Sequence, residues 1–142
     1  MILRWATLND ENHLRELLHK MDLEELAMGC RSEHNGEAYD IKKFIENKNC
    51  LFFVAMENNR IIGFGYAVKE KDKIIIQNFF VEKEWRKRGI ASQILKRITE
   101  RWKGTYGAYI FKNNQFALEF WQKRNFAIKR ELKNAYYLEK EF

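Results

Sequence analysis

Between Arg86 and Ser92 the chain sets three cations, Arg86, Lys87 and Arg88, directly before Gly89, Ile90, Ala91 and Ser92, and the apolar run Phe79, Phe80, Val81 precedes them. From Gly89 onward Ile90, Ile94, Leu95, Ile98 and Trp102 recur at helical spacing, while Lys96, Arg97, Glu100 and Arg101 fall elsewhere. This predicts an amphipathic helix opening beside Gly89. The first amides of such a helix lack acceptors within it, and its summed dipole places about half a positive charge at that end. The chemistry on offer is anion binding, with a pyrophosphate as the expected ligand. Gly89 has no side chain to hold a phosphate off the backbone, Ala91 is nearly as small, and the cations add charge-assisted donors. Gly104 is expected to end the helix in a left-handed conformation.

Two better-known phosphate motifs do not fit this stretch. A dinucleotide fingerprint needs Gly-x-Gly-x-x-Gly between strand and helix, and a phosphate loop ends in Gly-Lys-Ser/Thr. Neither pattern occurs here.

The elements that must position this turn are read from periodicity. Ile2 to Ala6 alternates as a strand, and Asn9 or Asp10 caps a helix carrying Leu14, Leu17, Leu18 and Met21. Leu23 to Tyr39 is expected to be irregular or partly helical and to select the substrate, with a helix near Asp40 to Asn47 after it. Leu51 to Glu57 and Arg60 to Lys69 read as strands joined by Asn58-Asn59, a pair that tolerates positive φ in a tight hairpin. Ile74 to Val81 and Tyr106 to Phe111 come next as strands, Asn114 to Arg124 as a helix, and Phe126 to Arg130 and Ala135 to Lys140 as closing strands. The order implies an α/β (α+β) domain with helices on both faces of a mixed sheet.

At 142 residues the chain suits one domain, 1–142, large enough to bury roughly two thirds of its unfolded surface. Lys and Arg number 26 against 20 Asp and Glu, a net charge of +6, which favours anionic ligands. The cations are scattered except at Arg86 to Arg88, so no nucleic-acid partner is expected. The apolar runs Leu51 to Met56 and Ile61 to Val68 are too short to span a bilayer, and Arg4, Asn9 and Asp10 break a signal-peptide pattern. No membrane association and a cytoplasmic location are therefore expected. Cys30 and Cys50 read as two reduced thiols, with neither a disulfide framework nor a metal site.

Asn114, Ala117 and Trp121 are spaced i, i+3 and i+7, on one stripe of their helix. Together with Arg86, Gly89 and Ala91 they make the chain resemble the GNAT superfamily of N-acetyltransferases. Arg86-x-x-Gly89-x-Ala91 fills that family's Arg/Gln-x-x-Gly-x-Gly/Ala motif. Asn114, Ala117, Trp121, Asn125 and Phe126 stand where its Asn-x-x-Ala-x-x-x-Tyr and Gly-Phe stand. The opening Leu3-Arg4-x-Ala6-Thr7-x-x-Asp10 is similar as well, so the resemblance covers nearly the full length.

The resemblance implies an acyl-CoA-dependent enzyme that transfers an acetyl group from acetyl-CoA to a primary amine, by direct attack in a ternary complex. It implies about seven mostly antiparallel strands flanked by about four helices. Phe79, Phe80 and Val81 would pair with the pantetheine arm through backbone bonds, and Arg86, Lys87, Arg88, Gly89, Ile90, Ala91 and Ser92 would surround the pyrophosphate. Asn114 would bond the arm, Ala117 would give it clearance, and Trp121 would lie beside the thioester sulfur.

Two places in the second motif depart from the family. Asn125 replaces a glycine at a helix end, where asparagine is the next most tolerant residue of a left-handed backbone. Trp121 replaces a tyrosine, and an indole N–H cannot usefully ionise, so the leaving thiolate takes its proton from water or from Tyr136 or Tyr137 if either points inward. A thiol with a pKa of about 8.5 leaves tolerably as a thiolate, and strand amides near Phe80 or Val81 would hold the oxyanion. The incoming amine, with a pKa of about 10.4, must lose a proton.

Many family members carry a glutamate on the central strand where this chain has Ile75. Gln77, one pleat further along, is the first candidate, holding a relay water. Glu33, His34 and Glu37 are alternatives for proton transfer or for attracting a cationic substrate, and Glu37 stands with Gln77 as a catalytic candidate. The amine is a small molecule or a peptide, and a homodimer through the last strands is compatible with the pattern. The contrasting reading is a non-catalytic acyl-CoA-binding or sensing module.

Overall fold

The computed structural model describes residues 1–30 and 40–142. Along the chain the elements are β1 (Ile2–Trp5), α1 (Glu11–Ala27), α2 (Ile41–Glu46), β2 (Cys50–Glu57), β3 (Arg60–Glu70), β4 (Lys73–Val81), α3 (Ile90–Arg101), β5 (Thr105–Phe111), α4 (Gln115–Lys123), β6 (Ala127–Glu131) and β7 (Ala135–Glu141). The strands form one sheet in the order β1-β2-β3-β4-β5-β7-β6. Every pairing is antiparallel except β4 with β5. This is the expected mixed sheet with helices on both faces.

Alternation along the central strands divides the core in two. Phe52 and Val54 of β2 face Leu14, Leu18 and Ile41, so α1 and α2 cover one face. Phe53 and Ala55 face Ile94, Ile98 and Leu118, so α3 and α4 cover the other. Because both faces are covered, β2 and β3 read as nearly continuous apolar runs rather than alternating ones. Complete burial of each large aliphatic side chain, such as Leu14 or Ile94, contributes about 1.5–3 kcal/mol.

The hairpin between β2 and β3 turns on Asn58 and Asn59 at φ 51° and 60°, the left-handed pair expected from their identity. Gly65 is needed for a different reason, close approach. A Cβ there would lie 2.6 Å from Ile94 Cγ2 and 2.7 Å from the Phe79 ring. Gly65→Ala therefore pushes α3 and Phe79 off the sheet, and we expect a loss of about 1–3 kcal/mol in urea unfolding.

The helical part expected within Leu23 to Tyr39 is Leu23 to Ala27, the last residues of α1, with Gly29 at φ 82° just beyond it. Two expectations are corrected. Gly104 does not cap α3, whose last residue is Arg101. It takes φ 139° and exchanges both backbone hydrogen bonds with Phe142, at 3.0 and 2.8 Å. Asp10 stands at the N-cap of α1 without capping it, because its carboxylate accepts from Arg4 at 2.8 and 2.9 Å and from the Thr7 amide at 2.8 Å.

Candidate active site

The site begins where the sheet opens. β4 and β5 pair from Lys73 with Thr105 to Ile76 with Ala108 and then part. At the same point β4 bulges: Ala67 of β3 pairs with Ile76 and Tyr66 with Asn78, leaving Gln77 as the extra residue. A bulge bends a strand and re-aims the residues beyond it. Phe79, Phe80 and Val81 still pair with β3 on one edge, and their other edge borders the gap left by β5.

The turn after β4 brings the helix end to that gap. Lys87 and Gly89 take φ 63° and 79°, a pair of left-handed residues that turns the chain into α3. The first helical bond runs from the Gln93 amide to the Gly89 carbonyl at 3.1 Å, and no side chain caps the helix. The amides up to Ser92 thus have no helical acceptor, as an anion site requires. A Cβ at Gly89 would meet nothing nearer than Gln93 Nε2 at 4.0 Å, so the space over these amides is open.

A cavity of about 780 Å³ fills the gap, walled by β4, the turn, α1 and α4. Phe79, Phe80, Val81, Arg86, Lys87, Gly89, Ile90, Ala91, Ser92, Asn114, Ala117 and Trp121 all line it. Arg88 does not; its guanidinium lies 4.7 Å over the Trp85 ring. Gln77 is exposed and is not on the cavity wall. Glu37, with Glu33 and His34, lies outside the described residues.

Arg86 is already engaged. Its Nε donates to the Val81 carbonyl at 2.7 Å, and one terminal nitrogen donates to both Glu24 oxygens at 3.0 and 2.7 Å. One turn earlier on α1, Lys20 pairs with buried Glu82 at 3.0 Å. The two rungs, Lys20 to Glu82 and Glu24 to Arg86, tie the end of α1 across the opening of β4. This fixes Met21 and Glu25 of α1, and Met28 at its C-terminal end, along the cavity wall.

From the opposite side α4 contributes Asn114, whose side-chain oxygen accepts the Ala117 amide at 3.0 Å and so caps the helix. Its NH₂ makes no hydrogen bond among the described residues. Trp121 is 3% exposed and edge-packed on Phe79, Phe120 and Phe126 at 5.3, 4.8 and 5.0 Å between ring centres. It is at once a core residue and a wall of the cavity, while Phe116 is exposed. Asn125 takes φ 69°, as its place at the helix end requires. Tyr137 donates to Glu139 at 2.6 Å, and neither Tyr136 nor Tyr137 lines the cavity.

Arg124 is a cavity residue that the motif comparison passes over. It donates to Ser92 Oγ at 3.0 Å and to the Phe120 carbonyl at 2.9 Å, with its guanidinium 3.6 Å over the Phe120 ring. Burial lowers its pKa from the ordinary guanidinium value, and it stays a cation at neutral pH. The signal was in the spacing: Ala117, Trp121 and Arg124 are i, i+4 and i+7, one stripe of α4.

The acetyltransferase (GNAT) domain model matches residues 48–128, more than half of the chain and the whole span from β2 through α4. The chain belongs to the GNAT acetyltransferase family. That makes it one of a family of acyl-CoA-dependent transferases. Solved structures of similar fold include the PaiA N-acetyltransferase of Thermoplasma acidophilum in complex with coenzyme A, with TM-score 0.79, 18% identity, and 99% and 98% of the two chains covered. An aminoglycoside 6'-N-acetyltransferase complexed with coenzyme A superposes with TM-score 0.78 at 15% identity over 99% and 97% of the chains. NAA60 of Arabidopsis thaliana, in complex with a bisubstrate analogue, does so with TM-score 0.73 at 13% identity over 99% and 97%. No curated protein sequence matches. Among the described residues no helix is long and apolar enough to cross a membrane, and no group of side chains is arranged to hold a metal.

Proposed function

We propose that residues 1–142 act as one GNAT domain that transfers an acetyl group from acetyl-CoA to a primary amine, by direct attack with both substrates bound. The observation that carries this reading is the continuity of one cavity from the uncapped amides of α3 to the free edge of β4. The residues fit the cosubstrate: the amides from Gly89 to Ser92 are open to a diphosphate, and a side chain at Gly89 would fill that cradle. Bound acetyl-CoA supplies the activated acyl carbonyl and a thiol leaving group.

The chain's own residues supply placement. Phe79, Phe80 and Val81 offer a strand edge to the pantetheine amides, and amides near Phe80 or Val81 stabilise the developing oxyanion. Asn114 offers its NH₂, Ala117 leaves room, and Trp121 closes the apolar wall beside the sulfur. Holding two reactants in this alignment is itself a large part of the rate. With Arg86 paired to Glu24, Arg124 and Lys87 are the cations assigned to the diphosphate.

Arg124→Gln is expected to weaken acetyl-CoA binding by about tenfold to a hundredfold, the worth of one charge-assisted bond. Isothermal titration calorimetry checks this. The acceptor is a small-molecule or peptide amine and the compartment the cytoplasm, in keeping with free Cys30 and Cys50.

The reading is tested by measuring acetyl-CoA affinity and then screening amines for thiol release. Absence of binding sinks it. Tight binding without release across aliphatic amines, polyamines, aminoglycosides and peptide amino termini supports an acyl-CoA sensor instead.

A further inference from the structure

We propose that Glu25 is the catalytic base of this chain, taking the proton from the incoming ammonium at the α1 wall of the cavity. The inference rests on the transferase reading above and deepens it. Glu25 sits four residues after Met21 and three before Met28, and all three line the cavity that Phe79, Phe80 and Trp121 also line. It is half-buried, and its backbone is held by the two rungs from Lys20 to Glu82 and from Glu24 to Arg86. Glu24, its neighbour, is spent on Arg86. The Glu25 carboxylate makes no hydrogen bond among the described residues. Among the described residues it is therefore the acid on this wall with capacity left for an amine.

The surroundings suit the task. Burial, with Asp22 adding its charge, raises the Glu25 pKa from 4.5 to about 7. A base is most useful when its pKa lies near the working pH, and the higher value makes deprotonation of an ammonium less uphill than an ordinary carboxylate would. Among the described residues, the other titratable and charged groups around it are Asp22 and Glu24 on α1, Cys30 beyond its end, Arg86 and Lys87 on the turn, Glu119 and Lys123 on α4, and Arg124 at the end of α4. Cys30 senses Glu25 directly: burial first, then the Glu25 charge, raises its thiol pKa.

One ammonium proton passes to Glu25, giving a neutral carboxylic acid and a free amine lone pair. That pair forms the C–N bond to the acyl carbon while the C–S bond breaks, and its electrons leave on sulfur. The thiolate takes the second nitrogen proton, so no tyrosine is needed at the Trp121 position. Glu25 then returns its proton to water.

The test is Glu25→Gln in the full chain, with Glu25→Asp beside it. Thiol release from acetyl-CoA with an accepted amine is followed against pH, and acetyl-CoA affinity is measured separately. Glu25→Gln is expected to lower kcat/KM by about 10²- to 10⁴-fold, to keep acetyl-CoA affinity, and to move the rising limb of the pH profile from near 7 towards the amine's own range. Glu25→Asp is expected to retain part of the rate together with the limb.

A second readout needs no substrate. An acid whose folded pKa is raised holds its proton better in the folded state, so its stabilising contribution is complete below pH 4.5 and disappears as the pH rises through about 7. Glu25→Gln should remove that fall from the melting temperature and melt higher than the unaltered chain at pH 8. An unchanged rate, or a lower rate with the limb still near 7, overturns the assignment of Glu25 alone. If the unaltered chain releases no thiol with any amine, the transferase reading falls and takes the base with it.

Discussion

Gly89→Asp is expected to weaken acetyl-CoA binding at least about a hundredfold, roughly 2.8 kcal/mol at 1.4 kcal/mol per decade, while leaving the chain folded. The variant places a carboxylate over amides that have no acceptor of their own, so it occupies the donors and repels the diphosphate in one step. The backbone tolerates it: Gly89 has φ 79°, aspartate enters that region more readily than most residues, and the strain costs about 1 kcal/mol. Gly89→Asn shares the backbone tolerance without the charge and should lose clearly less affinity. Calorimetry on the two variants, with urea unfolding as the control for folding, separates charge from strain. Equal losses for Asp and Asn would mean that bulk, rather than the positive end of α3, governs the site.

Trp121→Ala should cost about 3–5 kcal/mol of stability, a large share of the 5–15 kcal/mol typical of a domain. Trp121 is 3% exposed and its ring joins Phe79 of β4, Phe120 of α4 and Phe126 before β6. Removing it unpins α4 from the strand that the proposal assigns to the cosubstrate, so acetyl-CoA affinity is expected to fall with stability. Trp121→Phe is the informative partner. An indole N–H donates no proton to the leaving thiolate at working pH, so Phe, which keeps much of the packing, should hold kcat within the same order of magnitude. A collapse of kcat in Trp121→Phe, with folding and affinity intact, would show that the indole N–H takes part in the chemistry.

Most of this arrangement was legible in the sequence, and the gaps fall at identifiable places. The turn that opens α3 was legible because its signals are local: small residues at Gly89 and Ala91, cations beside them and the apolar stripe of α3 behind. The hairpin at Asn58 and Asn59 and the left-handed Asn125 were legible for the same reason. The end of α1 was not. Leu23 and Leu26 are exposed at 53% and 50%, so their apolar side chains do not follow the buried stripe, and Glu24 and Glu25 look like solvated charges.

The role of Glu24 comes from a contact far along the chain. Glu24 meets Arg86 across 62 residues, and one sequence cannot report that pairing. It also changes the part assigned to Arg86 itself: a cation expected on the diphosphate hydrogen-bonds the protein at Glu24 and Val81, and Arg124 stands at the helix end instead. The bulge at Gln77 was invisible for a further reason. The run from Ile74 to Val81 contains no glycine or proline to mark a break, and the register shift shows only in the pairing with Tyr66 and Ala67.

The central claim, that this cavity moves an acetyl group from a thioester to an amine, is tested most directly by quantifying both products in one reaction. Acetyl-CoA and an amine panel are incubated with the chain, free thiol is titrated, and acetylated amine is measured by mass spectrometry. The expected result is an amide that appears in step with the thiol, requires the amine, and is lost with Gly89→Asp. Acetyl-CoA that binds and stays intact in the presence of every amine, or thiol released without any amide, would contradict it.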